Sequence, residues 1–276
     1  MKKFFKSHAR RLTQVITAVL YNCNFTGFAE GEIYQGKGKN VCVPGLNCYS
    51  CPGAIGACPM GSLQSALVSS KYNFPYYILG VLLLMGVLLG RFVCGFLCPV
   101  GLVQELLYKI PTKKIEKNRV TKILSYGKYI VLVVLAILFP IFLSNPGFCK
   151  YVCPAGTFEG GVLLGVANES VRAMLGKLFT WKVAVLVVIV VSAVFIYRSF
   201  CRFICPLGAF YSLFNRFSFV RMIVDESKCN HCGACKRYCK MDIEVVGDRE
   251  CIQCGECKGV CSRCAISRSC VNSSKE

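Results

Sequence analysis

The sequence predicts an all-α integral membrane protein with about four transmembrane helices, followed by a small cysteine-rich α+β domain at the carboxyl end. Three observations lead to this fold class. Hydrophobic residues make up 54% of the 276 residues, above the roughly 45–50% of soluble domains, and the mean hydropathy is +0.51. Uncharged apolar stretches recur through most of the chain, and two regular cysteine ladders follow them.

Four stretches approach the roughly 20 apolar residues that a spanning helix needs. They run over Leu12–Ala29, Tyr72–Gly90, Tyr129–Cys149 and Thr180–Ser199. Asn22 and Asn24 dilute the first stretch, for which a cleaved signal peptide is the alternative. We therefore predict a membrane domain over residues 1–221.

The distribution of Lys and Arg predicts the orientation of these spans, because cytoplasmic loops hold the excess. With the amino terminus inside, seventeen basic residues fall on inner segments and seven on the outer loops. This predicts a multi-pass protein of the cell membrane with both termini cytoplasmic. The net charge is +19, and much of the basic charge lies beside the spans, where the lipid bilayer is the nearer partner. We therefore expect no nucleic-acid binding.

The predicted second domain, residues 222–276, carries two cysteine ladders of the pattern C-x2-C-x2-C-x3-C. Two-cluster bacterial ferredoxins hold two 4Fe-4S clusters with this spacing. Zinc sites instead pair two short knuckles, and disulfide scaffolds belong to short secreted chains. The predicted ligands are Cys229, Cys232, Cys235, Cys239, Cys251, Cys254, Cys257 and Cys261.

Two C-x3-C-P motifs close spans that reach the predicted cytoplasmic side. They contribute Cys94, Cys98, Cys201 and Cys205, and four thiolates are what a further cluster requires. Each proline is expected to end the turn that carries the two sulfurs, and the glycine that follows lets the backbone pass closely. The alternative is a set of inert buried thiols.

A larger set lies on the predicted outer side and comprises Cys48, Cys51, Cys58, Cys149 and Cys153. It holds one cysteine more than a cluster needs, and disulfides are an alternative because the outer side can be oxidising. We predict one or two further iron–sulfur clusters in the membrane domain. Redox centres at both faces of a hydrocarbon layer about 30 Å thick would form an electron-transfer path across the membrane. A quinone, or clusters that lie deeper than their motifs suggest, would connect the two faces.

The histidines limit other redox cofactors. His8 and His231 are the only two, and neither lies in a predicted span. A membrane haem held by two histidines is therefore excluded.

The sequence resembles the membrane polyferredoxins of the NapH type. The resemblance rests on Arg10-Arg11-Leu12-Thr13-Gln14 before the first span, on the two inner motifs and on the paired ladders ending in Cys261-Ser262. It implies transfer of electrons between the quinone pool or a cytoplasmic donor and an extracytoplasmic redox protein. The outer cysteines exceed the NapH pattern. Relatives with covalent flavin use a Ser/Thr-Gly-Ala-Thr sequence that is absent here, so no covalent flavin is expected.

These observations predict a membrane-bound iron–sulfur electron-transfer protein between cytoplasmic clusters or quinol and an extracytoplasmic redox partner. Two alternatives remain open: a quinol dehydrogenase subunit of a respiratory reductase, and a metal-reducing assembly or redox-sensing accessory factor. No catalytic residue is assigned, and the sequence leaves open whether the chain is an enzyme.

Overall fold

The computed structural model describes residues 2–69, 75–115 and 117–269. The start of the second predicted span, at Tyr72, lies outside these residues. The helices run over Lys2–Tyr21 (α1), Phe25–Glu30 (α2), Pro59–Ser69 (α3), Tyr76–Leu89 (α4), Phe92–Phe96 (α5), Pro99–Leu107 (α6), Arg119–Leu124 (α7), Gly127–Ile130 (α8), Phe139–Leu143 (α9), Gly147–Tyr151 (α10), Leu163–Ala167 (α11), Glu169–Ala173 (α12), Lys177–Phe195 (α13), Ser199–Phe203 (α14), Pro206–Phe214 (α15) and Ala234–Tyr238 (α16).

Among the residues that the structure describes, two helices are long and apolar enough to cross a membrane by length and composition. One is Arg119–Leu143, which includes π-helical turns over Val131–Leu138, and the other is α13. The helix α4 is also apolar but has 14 residues. Four spans therefore stay a prediction for the other two stretches.

The first predicted span is divided between α1 and α2. The asparagines that dilute its apolar pattern lie at this break. The Asn22 side-chain amide donates to Ala18 O at 3.0 Å and to Asn47 Oδ1 at 2.9 Å, and that of Asn24 donates to Pro52 O at 3.0 Å. The polar side chains therefore end the helix and hold the cysteine-bearing loop that follows.

Four helices begin with a proline directly after a cysteine. Three are α3, α6 and α15, and the fourth starts at Pro154 and continues through π-helical turns over Gly156–Val162 into α11. Proline suits the first helical position because its missing N–H has no partner there. Each proline therefore begins a helix. In the two inner motifs, the short helix that carries the first cysteine ends three residues before the proline.

The carboxyl-terminal part contains two short strands, Arg221–Val224 (β1) and Ile266–Ser269 (β2), paired antiparallel. It packs against the end of α4 and the loop after α15. Asn215 Nδ2 donates to Asp248 O at 2.7 Å and to Cys251 O at 2.9 Å. This contact places the second cysteine ladder beside the first inner motif.

The two parts approach each other closely at Gly95. A Cβ there would lie 2.3 Å from Ile252 O, so we expect Gly95→Ala to push the carboxyl-terminal part away and to cost about 1–3 kcal/mol, as overpacking does. The rate at which a protease cleaves between residues 215 and 225 should rise. Gly80→Ala is the matched control, because nothing lies within 4 Å of its Cβ position. Equal cleavage rates in the two variants would contradict the tight contact.

Candidate iron–sulfur sites

The four inner thiols meet at one place. Cys205 interacts electrostatically with Cys201, Cys94 and Cys98, and Cys98 interacts with Cys201 and Cys94. All four side chains are buried, with between 4% and 7% of their surface exposed. In each motif the first cysteine lies in a short helix, α5 or α14, and the second precedes the next helix.

The second cysteine of each motif lies directly before the helix that follows it. Gly208 N donates to Cys205 Sγ at 3.3 Å, and Gly156 N donates to Cys153 Sγ at 3.3 Å. The Cys58 and Cys98 sulfurs likewise interact with the backbone amides three residues on, at Gly61 and Gly101. Helix amino termini favour anions, and a cluster with its four thiolates is anionic. The shared C-P-x-G pattern therefore supplies backbone donors where negative charge is expected.

Four of the five outer cysteines line one cavity, which has a volume of about 280 Å³. They are Cys48, Cys58, Cys149 and Cys153. Cys153 interacts electrostatically with the other three thiols. The structure thus brings together a second group of four.

Cys51, the fifth outer cysteine, does not line this cavity. It is buried, with 2% of its surface exposed, and its sulfur interacts with the backbone amides of Gly53 and Ala54. All described cysteines are free thiols.

The inner and outer groups are adjacent. The backbone amide of Leu46 interacts with the Cys98 sulfur, and the next amide, Asn47, interacts with the Cys58 sulfur. The Phe148 and Phe200 rings stack, with 6.4 Å between their centroids, and each directly precedes a cysteine. One peptide segment and one ring pair therefore connect the two groups.

This adjacency differs from the sequence-based expectation of centres at opposite faces. The outer cysteines lie on segments that fold back along the helices. A Cβ at Gly147 would lie 2.8 Å from Leu135 O, within the preceding long helix, and a Cβ at Gly45 would lie 3.3 Å from Cys98 Cα. Tyr211 OH also donates to Pro44 O at 3.0 Å. Sequence position relative to a span does not reveal such a reversal.

Buried cations surround the inner group. Arg198 Nη1 donates to Cys94 O at 2.6 Å, and Arg91 Nη2 donates to Cys201 O at 3.5 Å. Each arginine of one motif therefore contacts a cysteine of the other. Both guanidinium groups are fully buried, and their charge offsets that expected of a cluster held by four thiolates.

The second tail ladder meets the last cysteine of the first. Cys239, Cys251, Cys254 and Cys257 line one cavity with Tyr197 and Ile252. Burial raises the pKa of Cys254 to about 12 and the pKa of Cys257 to about 12. Such thiols stay protonated without metal, whereas a coordinated thiol is deprotonated. Three sulfurs of one ladder with the last of the other is the two-cluster ferredoxin pattern.

The first ladder repeats the backbone conformation of the second. Positive φ values occur at His231 (51°) and Gln253 (55°), and at Gly233 (67°) and Gly255 (77°), which are matching positions. The helix α16 packs against the 3-10 turn Glu256–Gly259. The remaining predicted ligands are Cys229, Cys232, Cys235 and Cys261; Cys232 is exposed, and the other three are partly buried.

The sequence contains a further signal for residues of these sites. Cys58 and Cys98 begin the same pattern, C-P-x-G-x-x-Q, which ends at Gln64 and Gln104. Both glutamines are buried, and both contact a cysteine of the partner motif. Aligning all the C-P segments, including the one at Cys58, would have found them.

Within the described ranges, no group of three or more His, Cys, Asp or Glu side chains is placed to hold one metal ion. A 4Fe-4S cube binds its four cysteines through different iron atoms, so its ligands spread more widely than those of one ion. Sulfurs that accept hydrogen bonds from backbone amides, next to buried cations at the inner group and around a cavity at the outer group, fit such a cube.

Three segments of the chain match the 4Fe-4S binding domain family, over residues 74–118, 127–166 and 178–223. Each contains one C-x3-C-P motif. These matches and the cysteine groups define the class of protein: an iron–sulfur protein of the ferredoxin type.

Several curated proteins are similar to this chain. An uncharacterized protein, MJ0750, of Methanocaldococcus jannaschii is 29% identical over 68% of this chain and 74% of its own length. The methylamine utilization ferredoxin-type protein MauN of Paracoccus denitrificans is 30% identical over 64% of this chain and 58% of its own. The regulatory protein NosR of Stutzerimonas stutzeri is 31% identical over 60% of this chain and 22% of its own. No solved structure matches.

Proposed function

We propose that the chain is a membrane-bound electron conduit that carries four 4Fe-4S clusters. The observation that carries this proposal is the contiguity of the cysteine groups. The second tail ladder lies against the inner group through Ile252 and Gly95, and the inner group lies against the outer group through Leu46 and Asn47. A 4Fe-4S cluster supplies one-electron redox chemistry when bound.

The proposed ligands form four groups of four. In the membrane half they are Cys94, Cys98, Cys201 and Cys205 for the inner cluster, and Cys48, Cys58, Cys149 and Cys153 for the outer cluster. In the tail they are Cys239, Cys251, Cys254 and Cys257 for one cluster, and Cys229, Cys232, Cys235 and Cys261 for the other. Cys51 is left out because it does not line the outer cavity.

The protein residues contribute more than ligands. Backbone amides at the helix amino termini donate to the sulfurs, and the buried arginines place positive charge beside the inner group. Burial keeps water from the inner thiols. These are the features by which a protein tunes the potential of a cluster.

We propose that the chain spans the cell membrane four times, with both termini in the cytoplasm. The apolar helices Arg119–Leu143 and α13 support two spans by length and composition, and the excess of Lys and Arg on the inner segments supports the orientation. The inner and outer groups then lie next to each other, connected by Leu46 and Asn47. This arrangement shortens the distance between centres and removes the need for a quinone between them.

The proposed partners are a cytoplasmic electron donor or the quinone pool on one side and an extracytoplasmic redox protein on the other. The name of MauN includes the term ferredoxin-type, which supports a redox role for this chain as well. Because the aligned part covers 58% of MauN and 22% of NosR, the particular partners of those proteins are not transferred here.

The proposal predicts electron transfer across a sealed vesicle. Anaerobic proteoliposomes would enclose ferricyanide, receive a membrane-impermeant reductant outside, and contain an ionophore that balances charge. The wild-type protein should reduce the enclosed ferricyanide. Cys48→Ser should abolish this transfer because it removes a proposed ligand, whereas the matched variant Cys51→Ser should retain it.

Two results would overturn the proposal. Wild-type vesicles that transfer no more electrons than protein-free vesicles would exclude a conduit. Equal loss in Cys48→Ser and Cys51→Ser would contradict the assignment of the outer ligands.

A second candidate function is a quinol dehydrogenase. A cavity of about 500 Å³ lies beside the outer group, and Tyr49 and Gly61 line both this cavity and the one formed by the outer cysteines. Its volume falls in the range of about 300–1,000 Å³ typical of ligand pockets. Reduction of the clusters by a soluble quinol analogue would favour this candidate, and no reduction would count against it.

A further inference from the structure

Gln64 and Gln104 occupy equivalent positions in the two cysteine groups. Each lies six residues after the cysteine that directly precedes its helix, Cys58 or Cys98. Their exposed fractions are 0% and 3%. A buried primary amide has two donor hydrogens and an acceptor oxygen to satisfy, so the partners of these atoms show what the side chain does.

The acceptor oxygen of each glutamine binds the turn that carries the opposite cysteine pair. Gln64 Oε1 accepts from Phe148 N at 3.1 Å and from Cys149 N at 3.4 Å. Gln104 Oε1 accepts from Phe200 N at 3.1 Å. Since these amides lie at the start of short helices, the glutamines orient the first cysteine of each pair.

The donor nitrogen of each glutamine reaches that same cysteine. Gln104 Nε2 donates to Cys201 Sγ at 3.1 Å, and Gln64 Nε2 donates to Cys149 Sγ at 3.5 Å. The same nitrogens contact the carbonyl oxygens of Val100 and Met60, one helical turn back, at 3.2 and 3.5 Å. The helix carbonyl and the sulfur thus account for both amide hydrogens.

A donor aimed at a ligand sulfur favours the reduced form of a cluster. Reduction adds negative charge, and hydrogen bonds to the sulfurs are among the factors that set cluster potentials. Because both glutamine side chains are buried, a water molecule does not take their place. The same hydrogen-bond geometry occurs in both groups. This repetition distinguishes the interaction from a single buried glutamine that finds hydrogen-bond partners by chance.

We propose that Gln64 and Gln104 are positioning residues that raise the reduction potentials of the outer and inner clusters, respectively, through side-chain N–H···S hydrogen bonds. The proposal rests on the proposed function, because it requires clusters at these two groups. It assigns a role in setting the cluster potentials to two equivalent residues that are not cluster ligands.

The test is an anaerobic redox titration of the full chain followed by electron paramagnetic resonance. Gln104→Met keeps the volume and removes the donor, so the inner cluster should become about tenfold harder to reduce, a shift of about 59 mV for a one-electron couple. Gln64→Met should shift only the outer cluster. Each variant is the control for the other, and the tail clusters should be unchanged in both.

A second measurement uses the unaltered protein and needs no variant to fold. Protein with ¹⁵N in the glutamine side-chain amides should show ¹⁵N hyperfine coupling to the reduced membrane clusters. Gln104→Glu adds a control, because it retains an oxygen acceptor for Phe200 N while it removes the amide nitrogen.

The outcomes separate this proposal from the proposed function. Wild-type protein without clusters in the membrane half would overturn both. Clusters that are present but show no glutamine hyperfine coupling, or whose potentials are unchanged in the methionine variants, would overturn the glutamine role alone. Coupling together with site-specific shifts is the supporting result.

Discussion

Replacing Cys201 by serine should remove one cluster and leave the others in place. Cys201 lies among Cys94, Cys98 and Cys205, and a cubane that loses one of four thiolates in a buried site has no water-exposed substitute. Iron and acid-labile sulfide per chain should therefore fall by about a quarter in protein purified anaerobically. The tail clusters should keep their spectra, because their proposed ligands lie in a separate cavity.

The matched control is Cys23→Ser, since Cys23 is exposed and belongs to no cysteine group. Its iron content should equal that of the wild type. The measurement needs the full chain, because Asn215 and Arg91 bind the backbone of the carboxyl-terminal part and a truncation would expose them. An unchanged iron content in Cys201→Ser would contradict an inner cluster.

Replacing Glu105 by alanine should destabilise the protein strongly. Glu105 Oε1 accepts hydrogen bonds from Arg10 Nη1 at 2.6 Å, Arg198 Nη2 at 2.6 Å and Tyr197 OH at 2.7 Å. The side chains of Glu105, Arg10 and Arg198 are at most 5% exposed. The variant leaves the buried Arg198 guanidinium without its carboxylate and leaves Arg10 with Glu256 alone. Breaking a buried ion pair in this way costs about 3–5 kcal/mol. Thermal unfolding in detergent should show a lower midpoint.

Glu169→Ala is the control for this stability measurement. Glu169 pairs with Arg172 at 2.8 Å, but the two side chains are 88% and 64% exposed. Exposed pairs contribute about 0–1 kcal/mol, so its midpoint should stay near that of the wild type. Similar midpoints for Glu105→Ala and Glu169→Ala would show that the buried charge group does not stabilise the fold.

The Glu105 ion pair also gives a structural role to part of the segment by which the sequence resembles the NapH type. Arg10 begins the Arg10–Gln14 segment by which the sequence resembles the NapH type, and it joins α1 to α6 through Glu105. It also bonds Glu256 in the carboxyl-terminal part at 3.1 Å. A residue that looks like a positive-inside signal in the sequence is therefore buried and holds three parts of the chain together.

The sequence by itself determined the chemistry of this protein. Ladder spacing predicts the cluster ligands of the tail because coordination requires sulfurs at short, fixed intervals. The family matches over residues 74–118, 127–166 and 178–223 each contain one C-x3-C-P motif. Apolar length likewise predicted the spans Tyr129–Cys149 and Thr180–Ser199, which overlap the helices Arg119–Leu143 and α13.

Only the tertiary structure decided which cysteines come together and how far apart the groups lie. It placed Cys48 in the outer cavity and left Cys51 out, and it brought Leu46 between the two groups. Residues such as Phe148 and Phe200 meet across 52 positions of sequence. Hydropathy and cysteine spacing depend on residues that are close in the sequence. Whether a segment folds back along the preceding helix depends on contacts with side chains that are distant in the sequence.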